Sequence, residues 1–317
     1  ADPPAAGRPG TKRAGNALTL RGKQGAPDTL AVMTAEGALR AVGGAGSVMV
    51  IGGAEDRFRD KVILGTFAEL AGGADGEVVV ISTASSLGEA ATEAYRELFL
   101  GLGIGQVSGI RPEERAEAND PATVALLAQA TGVFLTGGNQ SRLTQVVAGT
   151  RLGDAISNAH DRGVVLAGTS AGASALASHM VAFGRPGPTP KHRMVHLAAG
   201  LGIVQGVVID QHFEQRGRMG RLLALVAQSP SLLGIGIDED TCAVVSGRRE
   251  LHVIGRGAVT LVDGSHVKTD AYRGKGYRPV MVSGAIVHSL PSGYRFDLRS
   301  RALLTGPDAL EDGEAST

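Results

Sequence analysis

Cysteine is almost absent from this sequence: among 317 residues there is only Cys242. A single cysteine excludes an internal disulfide and a thiolate metal cluster. Tryptophan is missing and aromatic residues make up 3%, too few for the stacking platforms that bind single-stranded nucleic acid. The 31 Lys and Arg residues balance the 31 Asp and Glu residues, so no global field attracts nucleic acid or an anionic membrane. We therefore expect neither as a partner.

Long apolar segments are also missing, since no run approaches the ~20 residues that a membrane helix needs. We therefore predict a soluble chain, with the cytoplasm as its default location and an extracellular one left open. Glycine, in contrast, is abundant: 47 of 317 residues is about twice the usual fraction of ~7%. Because the glycines follow no Gly-X-Y period, they indicate many tight turns and not collagen.

The two ends of the chain differ in composition from its centre. Residues 1–45 are rich in Ala, Gly and Pro with scattered Lys and Arg, which is typical of a flexible or surface-draped arm. Residues 301–317 end in the run GPDALEDGEAST and are predicted to form a polar tail. No repeat or sharp break divides residues 46–300, so we interpret them as a single α/β domain.

Short apolar strands alternate with helix-length segments through this domain. The runs that are apolar on both faces are SVMVI at 47–51, EVVVI at 77–81, GVFLT at 132–136 and VVLA at 164–167. Such runs are typical of a parallel sheet covered on both sides. Beyond a helix over Gln215–Gln228, short runs separated by turns indicate antiparallel strands. We predict a three-layer α/β fold, with a mostly parallel central sheet, helices on both faces and an antiparallel C-terminal extension of that sheet.

The strongest motif is GTSAG at 168–172, directly after VVLA and before a helical pattern over Ala171–His179. This is G-x-S-x-G in its required context of strand, sharp turn and helix, which exposes the serine hydroxyl above the sheet edge. The free N–H groups at the start of the helix suit a developing oxyanion. We therefore predict Ser170 as a nucleophile, the Ala171 N–H as an oxyanion donor, and residues 46–300 as a serine-hydrolase domain.

A serine hydroxyl needs a base to take its proton. Of the eight histidines, His212 in VVIDQHFEQR follows a strand end, with Asp210 and Gln211 beside it. Because the carboxyl ends of parallel strands lie at one edge of a sheet, this places His212 on the same side as Ser170. We predict His212 as the general base.

The acid that would orient this histidine is less clearly indicated, because no Asp or Glu occurs between Ala171 and Ile209. Asp210, the Asp238-Glu239-Asp240 run and more distant acids all remain open. Glu239 is our choice, since it follows the strand GIGI at 234–237.

Two further segments suit substrate binding. Gly137-Gly138-Asn139-Gln140 ends the strand GVFLT, so Gly138 can supply a second oxyanion donor and Gln140 can point its amide at substrate. Gly52-Gly53-Ala54-Glu55 is a similar but weaker pattern. Shortly after His212 come Arg216, Arg218 and Arg221, which together would make a fork-shaped receptor for carboxylates.

The motifs GGAED, LTGGNQ, GTSAGAS, VVIDQHFEQRGRMGRL and LGIGIDEDTC together resemble those of the cyanophycinases. These enzymes belong to the S51 group of serine peptidases, which also contains aspartyl dipeptidase (peptidase E). The resemblance spans residues 47–262, continues toward 298 and leaves out the N-terminal arm.

This resemblance implies exo-type hydrolysis of cyanophycin through an acyl-enzyme. Cyanophycin has a poly-Asp backbone with Arg attached through each β-carboxyl, and the product is the β-Asp-Arg dipeptide. The family pattern gives Ser170 as nucleophile and His212 as base, and puts Glu239 at an acidic position suited to the substrate's guanidinium. The family members are homodimers without metal or cofactor. The positions that match the family's substrate pocket are Gln140, Asp210, Gln211, Arg216, Arg218 and Arg221.

The sequence departs from the family in one place. Related enzymes carry the triad acid shortly after the nucleophile helix, whereas residues 184–188 here are Gly-Arg-Pro-Gly-Pro. Two alternatives therefore stay open: a dipeptidase of the same family acting on isoaspartyl or aspartyl dipeptides, and a non-catalytic relative that binds cyanophycin.

Overall fold

A computed structural model describes residues 32–33, 39–40 and 44–306. Most of the predicted arm at 1–45, and residues 307–317 of the predicted tail, lie outside the described residues. Ala302–Thr305 is a strand that pairs with Arg295–Asp297. These four residues of the predicted tail therefore belong to a paired strand.

The helices of the described chain alternate with strands as the sequence predicts. They are α1 (Val62–Leu70), α2 (Glu89–Gly101), α3 (Pro121–Ala125), α4 (Gln140–Val147), α5 (Arg151–Asp161), α6 (Ala171–Leu176) and α7 (Met219–Gln228). Side-chain caps fix several starts: Asp120 accepts a hydrogen bond from the Ala122 N–H, and Asn139 accepts one from the Arg142 N–H.

The strands form two large sheets and two short pairs. In chain order they are β1 (Val32–Met33), β2 (Leu39–Arg40), β3 (Val48–Ile51), β4 (Glu77–Ile81), β5 (Gln106–Ile110), β6 (Gly132–Leu135), β7 (Val165–Thr169), β8 (Ala177–Gly184), β9 (Val195–Ala199), β10 (Val204–Gln211), β11 (Leu233–Ile237), β12 (Thr241–Ser246), β13 (Glu250–Gly255), β14 (Ala258–Asp263), β15 (Lys268–Thr269), β16 (Val282–Ser283), β17 (Ile286–Pro291), β18 (Arg295–Asp297) and β19 (Ala302–Thr305). The short pairs are β1 with β2 and β15 with β16.

The larger sheet has nine strands in the order β19-β18-β13-β12-β3-β7-β6-β4-β5. Five neighbouring strands of this sheet are parallel to one another, namely β3, β7, β6, β4 and β5. The other four continue the sheet antiparallel, namely β12, β13, β18 and β19. Helices α1 and α2 pack on one face around Phe67, Phe99 and Phe134, and α4 to α6 pack on the other. The predicted α/β class, with a mostly parallel core and antiparallel strands near the C-terminus, is confirmed.

A second sheet of six strands, in the order β17-β14-β11-β10-β8-β9, was not expected. Helix α6 was predicted to continue to His179, but it ends at Leu176 and the chain enters β8 at Ala177. The predicted C-terminal strands are consequently divided between two sheets instead of extending one. The two sheets share a core that includes Val50, Leu166 and Ile209, so they pack together. No helix of the described residues has the length and apolar character to cross a bilayer.

Candidate active site

Ser170 occupies a strained turn between β7 and α6. Its φ of 51° lies in the left-handed region, which non-glycine residues seldom adopt. The two glycines of the motif make the turn possible: a Cβ on Gly168 would lie 2.5 Å from the Gly172 carbonyl carbon, and one on Gly172 would lie 2.3 Å from the Leu135 oxygen. The motif therefore needs glycine at both positions to expose the serine.

The second sheet supplies the histidine. His212 follows the last residue of β10 and also has a positive φ, of 47°. Its Nε2 lies 2.9 Å from Ser170 Oγ, within hydrogen-bond distance. Ser170 and His212 thus lie at the carboxyl ends of parallel strands in two different sheets, and not at neighbouring strands of one sheet.

Glu239 is the acid that contacts the histidine. Its Oε1 lies 2.6 Å from His212 Nδ1, and its backbone N–H donates to Gln215 Oε1. The neighbouring acids have other partners: Asp238 accepts from the backbone N–H groups of Glu214 and Ala258, and Asp240 accepts from that of Asp56. The geometry is that of a Ser–His–Glu triad.

The surroundings of His212 favour the neutral imidazole that a general base requires. Burial lowers the pKa of His212 below its ordinary value of 6.5, while the hydrogen bond that His212 donates to Glu239 raises it and the charges of Arg216 and Arg218 lower it. Since the net shift is downward, the ring is neutral at neutral pH and can accept the serine proton.

Three consecutive carbonyls hold the triad together from the first sheet. The oxygens of residues 51, 52 and 53 accept hydrogen bonds from the N–H groups of Ser170, His212 and Asp240, each at 2.9 Å. Gly53 lies directly against the imidazole, because a Cβ there would lie 2.4 Å from His212 Cε1. The weak Gly-Gly pattern at 52–53 thus belongs to the site.

The predicted oxyanion donors lie around the serine. A Cβ on Gly137 would lie 3.8 Å from Ser170 Oγ, so this segment passes close to the nucleophile. Within the described residues the N–H groups of Gly137 and Gly138 make no hydrogen bond. Ala171 is the first residue of α6, so its N–H has no partner within the helix. These N–H groups are therefore available to an oxyanion.

The arginines differ from the expected open receptor. Arg218 and Arg221 are buried, and both bind the carboxylate of Asp210, with Arg221 Nε 2.6 Å from Asp210 Oδ2. Arg218 also contacts Gln211, whose Oε1 lies 3.1 Å away. A buried acid needs such partners, because an unpaired charge is costly away from water. Of these three arginines only Arg216 is exposed. The prediction of direct contact with substrate is therefore best supported for Arg216.

Gln140 lies at the start of α4, half-buried, where its Nε2 donates to the Val181 carbonyl at 2.8 Å. Its amide nitrogen therefore binds the β8 backbone instead of pointing freely at substrate.

Sequence reasoning missed a second polar cluster beside the nucleophile. The buried carboxylate of Glu55 accepts hydrogen bonds from Thr169 Oγ1 at 2.6 Å, Tyr95 Oη at 2.6 Å and Arg57 Nη2 at 3.1 Å. Its only signal in the sequence is an acid two residues after the Gly-Gly pair at a strand end. Because Thr169 precedes Ser170, Glu55 anchors the strained turn from behind.

This cluster lies in an open cleft over the nine-stranded sheet. Ser170, the segment 136–138 and the polar side chains of Glu55, Arg57 and Tyr95 all line this cleft. Most other lining residues are small, namely Ala54, Ser85, Ser86, Ala90, Ala91 and Ala94. Among the described residues no group of His, Cys, Asp or Glu is arranged to hold a metal ion.

Comparison with known proteins places the chain among peptidases. Cyanophycinases from Synechococcus elongatus and Nostoc sp. are 38% and 40% identical to it, over 80% and 81% of this chain and 80% and 87% of theirs. The cyanophycinase of Geminocystis herdmanii is 37% identical over 82% of this chain and 96% of its own. A crystal structure of a peptidase from an acI-B1 actinobacterium shares the fold, with a TM-score of 0.60, 21% identity, and coverage of 80% of this chain and 98% of that one. The model of Peptidase family S51 matches residues 48–253, and the chain therefore belongs to this family.

Proposed function

We propose that this chain is a serine-type peptidase that hydrolyses cyanophycin, releasing β-Asp-Arg dipeptides. The observation that carries the proposal is the continuous hydrogen-bonded array from Ser170 through His212 to Glu239, at 2.9 and 2.6 Å. The choice of substrate is supported by relatives named cyanophycinase at 37–40% identity.

The reaction begins when Ser170 Oγ attacks the peptide carbonyl carbon and His212 Nε2 takes the hydroxyl proton. The N–H groups of Ala171 and Gly138 hold the negative oxygen of the tetrahedral intermediate. The imidazolium then protonates the leaving amine as the C–N bond breaks, which leaves an ester on Ser170. Water attacks this ester, gives its proton to His212, and the proton returns to Ser170 as the acid product leaves.

Each member of the triad has a distinct task in this scheme. Glu239 holds the Nδ1 proton and so presents the lone pair of Nε2 to the serine, and its charge stabilises the imidazolium that forms. The acid absent from residues 184–188 is thus replaced by one that follows β11, and this argues against a non-catalytic relative.

Substrate recognition uses the charges around this centre. Cyanophycin presents an Arg α-carboxylate on every side chain, because the Arg amino group forms the link to Asp. The exposed Arg216 is suited to such a carboxylate. The buried base of that side of the site is formed by Asp210, Gln211, Arg218 and Arg221. Gln140 supports the same side through the backbone of β8.

The test is mass spectrometry of the products from purified cyanophycin. The intact protein should release β-Asp-Arg, and Ser170→Ala should reduce the rate by at least ~3 orders of magnitude. Thr150→Ser, which keeps a hydroxyl at a helix cap remote from the cleft, is a suitable control. Comparable release by Ser170→Ala would refute the nucleophile, and cleavage of Asp-Leu in place of cyanophycin would refute the substrate.

A homodimer and a cytoplasmic location belong to the same proposal, as the family resemblance implies the former. Sedimentation of the purified chain at several concentrations tests the dimer, and fractionation of the source cells tests the location.

A further inference from the structure

The cleft beside Ser170 contains two charged side chains, Glu55 and Arg57, which differ in accessibility. The side chain of Glu55 is 1% exposed and that of Arg57 is 39% exposed. The carboxylate is therefore enclosed, whereas the guanidinium faces the cleft as one of its lining groups.

The guanidinium is held from one side only. Arg57 Nη2 donates to Glu55 Oε1 at 3.1 Å and to Tyr95 Oη at 2.5 Å. Arg57 Cζ lies over the Tyr95 ring, 4.4 Å from the ring centroid, which adds a cation–π contact. These contacts fix the orientation of the group before any ligand arrives.

Most of the hydrogen-bonding capacity of Arg57 is left for a ligand. A guanidinium carries five N–H donors in a planar fork, and in the described part of the chain Nη1 and Nε donate to no protein atom. Burial and the nearby Glu55 charge raise the pKa of Tyr95 well above 10. Tyr95 thus stays a phenol that donates to Glu55 at 2.6 Å.

The shape of the cleft suits a flexible, charged chain. Its remaining walls are formed mainly by Ala, Ser and Gly residues, which come from the chain after β4, from the segment 136–138 and from the start of α2. No second lining residue offers a positive charge. A carboxylate that enters beside Ser170 therefore has one charged partner here, and it is a planar fork that matches carboxylate geometry.

We propose that Arg57, pre-oriented by Glu55 and Tyr95, binds an Arg α-carboxylate of the substrate in this cleft and so determines specificity for the acidic polymer. This rests on the proposed function and adds a second carboxylate contact to the one expected at Arg216. The two arginines come from different sheets, since Arg57 follows β3 of the nine-stranded sheet and Arg216 follows β10 of the six-stranded sheet.

The test is a binding cycle on the Ser170→Ala protein, in which no turnover occurs. Isothermal titration measures the affinity for a trimer of β-Asp-Arg and for the same trimer with its Arg α-carboxylates converted to amides. Arg57→Gln should weaken binding of the acid trimer at least ~10-fold, the usual scale for a hydrogen bond to a charged group. It should weaken binding of the amide trimer less than ~2-fold, because the partner of Arg57 is absent there.

If Arg57 only neutralises Glu55, Arg57→Gln would weaken binding of both trimers equally or binding of neither. Either outcome refutes the proposal. Arg57→Lys keeps the charge without the fork and should fall between the wild-type residue and Gln for the acid trimer alone. Arg59→Gln, an exposed arginine that does not line the cleft, is the matched control and should change neither affinity. The melting temperature of each variant establishes that it folds.

The binding cycle, taken together with dipeptide release by the intact protein, separates this inference from the proposed function. A protein that releases no dipeptide but shows the acid-selective loss refutes hydrolysis and supports Arg57. A protein that hydrolyses cyanophycin and shows equal losses refutes Arg57 alone.

Discussion

Gly53→Ala tests whether the imidazole acts from the position in which the structure holds it. The new Cβ would lie 2.4 Å from His212 Cε1 and 2.6 Å from Nε2, both closer than real Cβ contacts allow. The ring must therefore move by roughly 1 Å, which opens the 2.9 Å bond to Ser170 Oγ. A misplacement of about 1 Å at a reacting group costs ~10²-fold in rate, so we expect kcat to fall by about that factor.

The backbone also contributes, and a matched variant isolates its effect. Gly53 has a φ of 99°, so alanine there costs about 1–2 kcal/mol. Gly72 has a φ of 102° and is exposed, and its nearest neighbour would be 3.5 Å from a new Cβ. Gly72→Ala should therefore lower the melting temperature by about 2–4 °C per kcal/mol and leave kcat unchanged.

The assay is steady-state release of β-Asp-Arg from cyanophycin, with the melting temperature measured on the same preparations. Only Gly53→Ala should lose turnover, although both variants should lose stability. If Gly53→Ala turns over at the wild-type rate, or if Gly72→Ala loses as much activity, the assignment of His212 as the base is wrong.

Two further predictions concern the charges around the imidazole. Glu239→Gln should lower kcat by about 10²–10⁴-fold. Because Glu239 raises the pKa of His212, the substitution should also move the acid limb of the kcat/KM–pH profile to lower pH. Glu214→Gln changes an exposed acid two positions after His212 and should do neither. Arg216→Gln removes a charge that lowers the pKa of His212, so the acid limb of the profile should move to higher pH. An acid limb that does not move, or one that moves equally in the control variant Arg299→Gln, would contradict the assigned electrostatics.

The parts of the fold that the sequence predicts are those set by local pattern. Runs that are apolar on both faces mark the parallel strands of the larger sheet. The six-stranded sheet escapes this reasoning because SAGASALAS at 170–178 has the composition of a helix, whereas tertiary packing ends the helix at Leu176. Propensity is weak where neighbouring elements decide.

The site divides in the same way. Ser170 and His212 follow strands, so their positions at the sheet edges are predictable, and Glu239 is one of a few acids at such an end. Pairing between distant side chains is not predictable from one sequence. Nothing local indicates that Asp210 binds Arg218 and Arg221 instead of leaving them open, or that Glu55 contacts Thr169 across 114 positions of the chain.

The carbonyls at 51–53 give the catalytic centre an unusual dependence on the whole domain. After Ser170 the chain leaves the nine-stranded sheet, passes through α6 and four strands of the other sheet (β8, β9, β10 and β11, with α7 before β11), and returns at β12. His212 lies on this intervening segment, directly after β10. Neither sheet alone carries both the serine and the histidine. The reaction consequently requires that the two sheets have packed together. The carbonyls at 51–53 then set the spacing between Ser170 and His212.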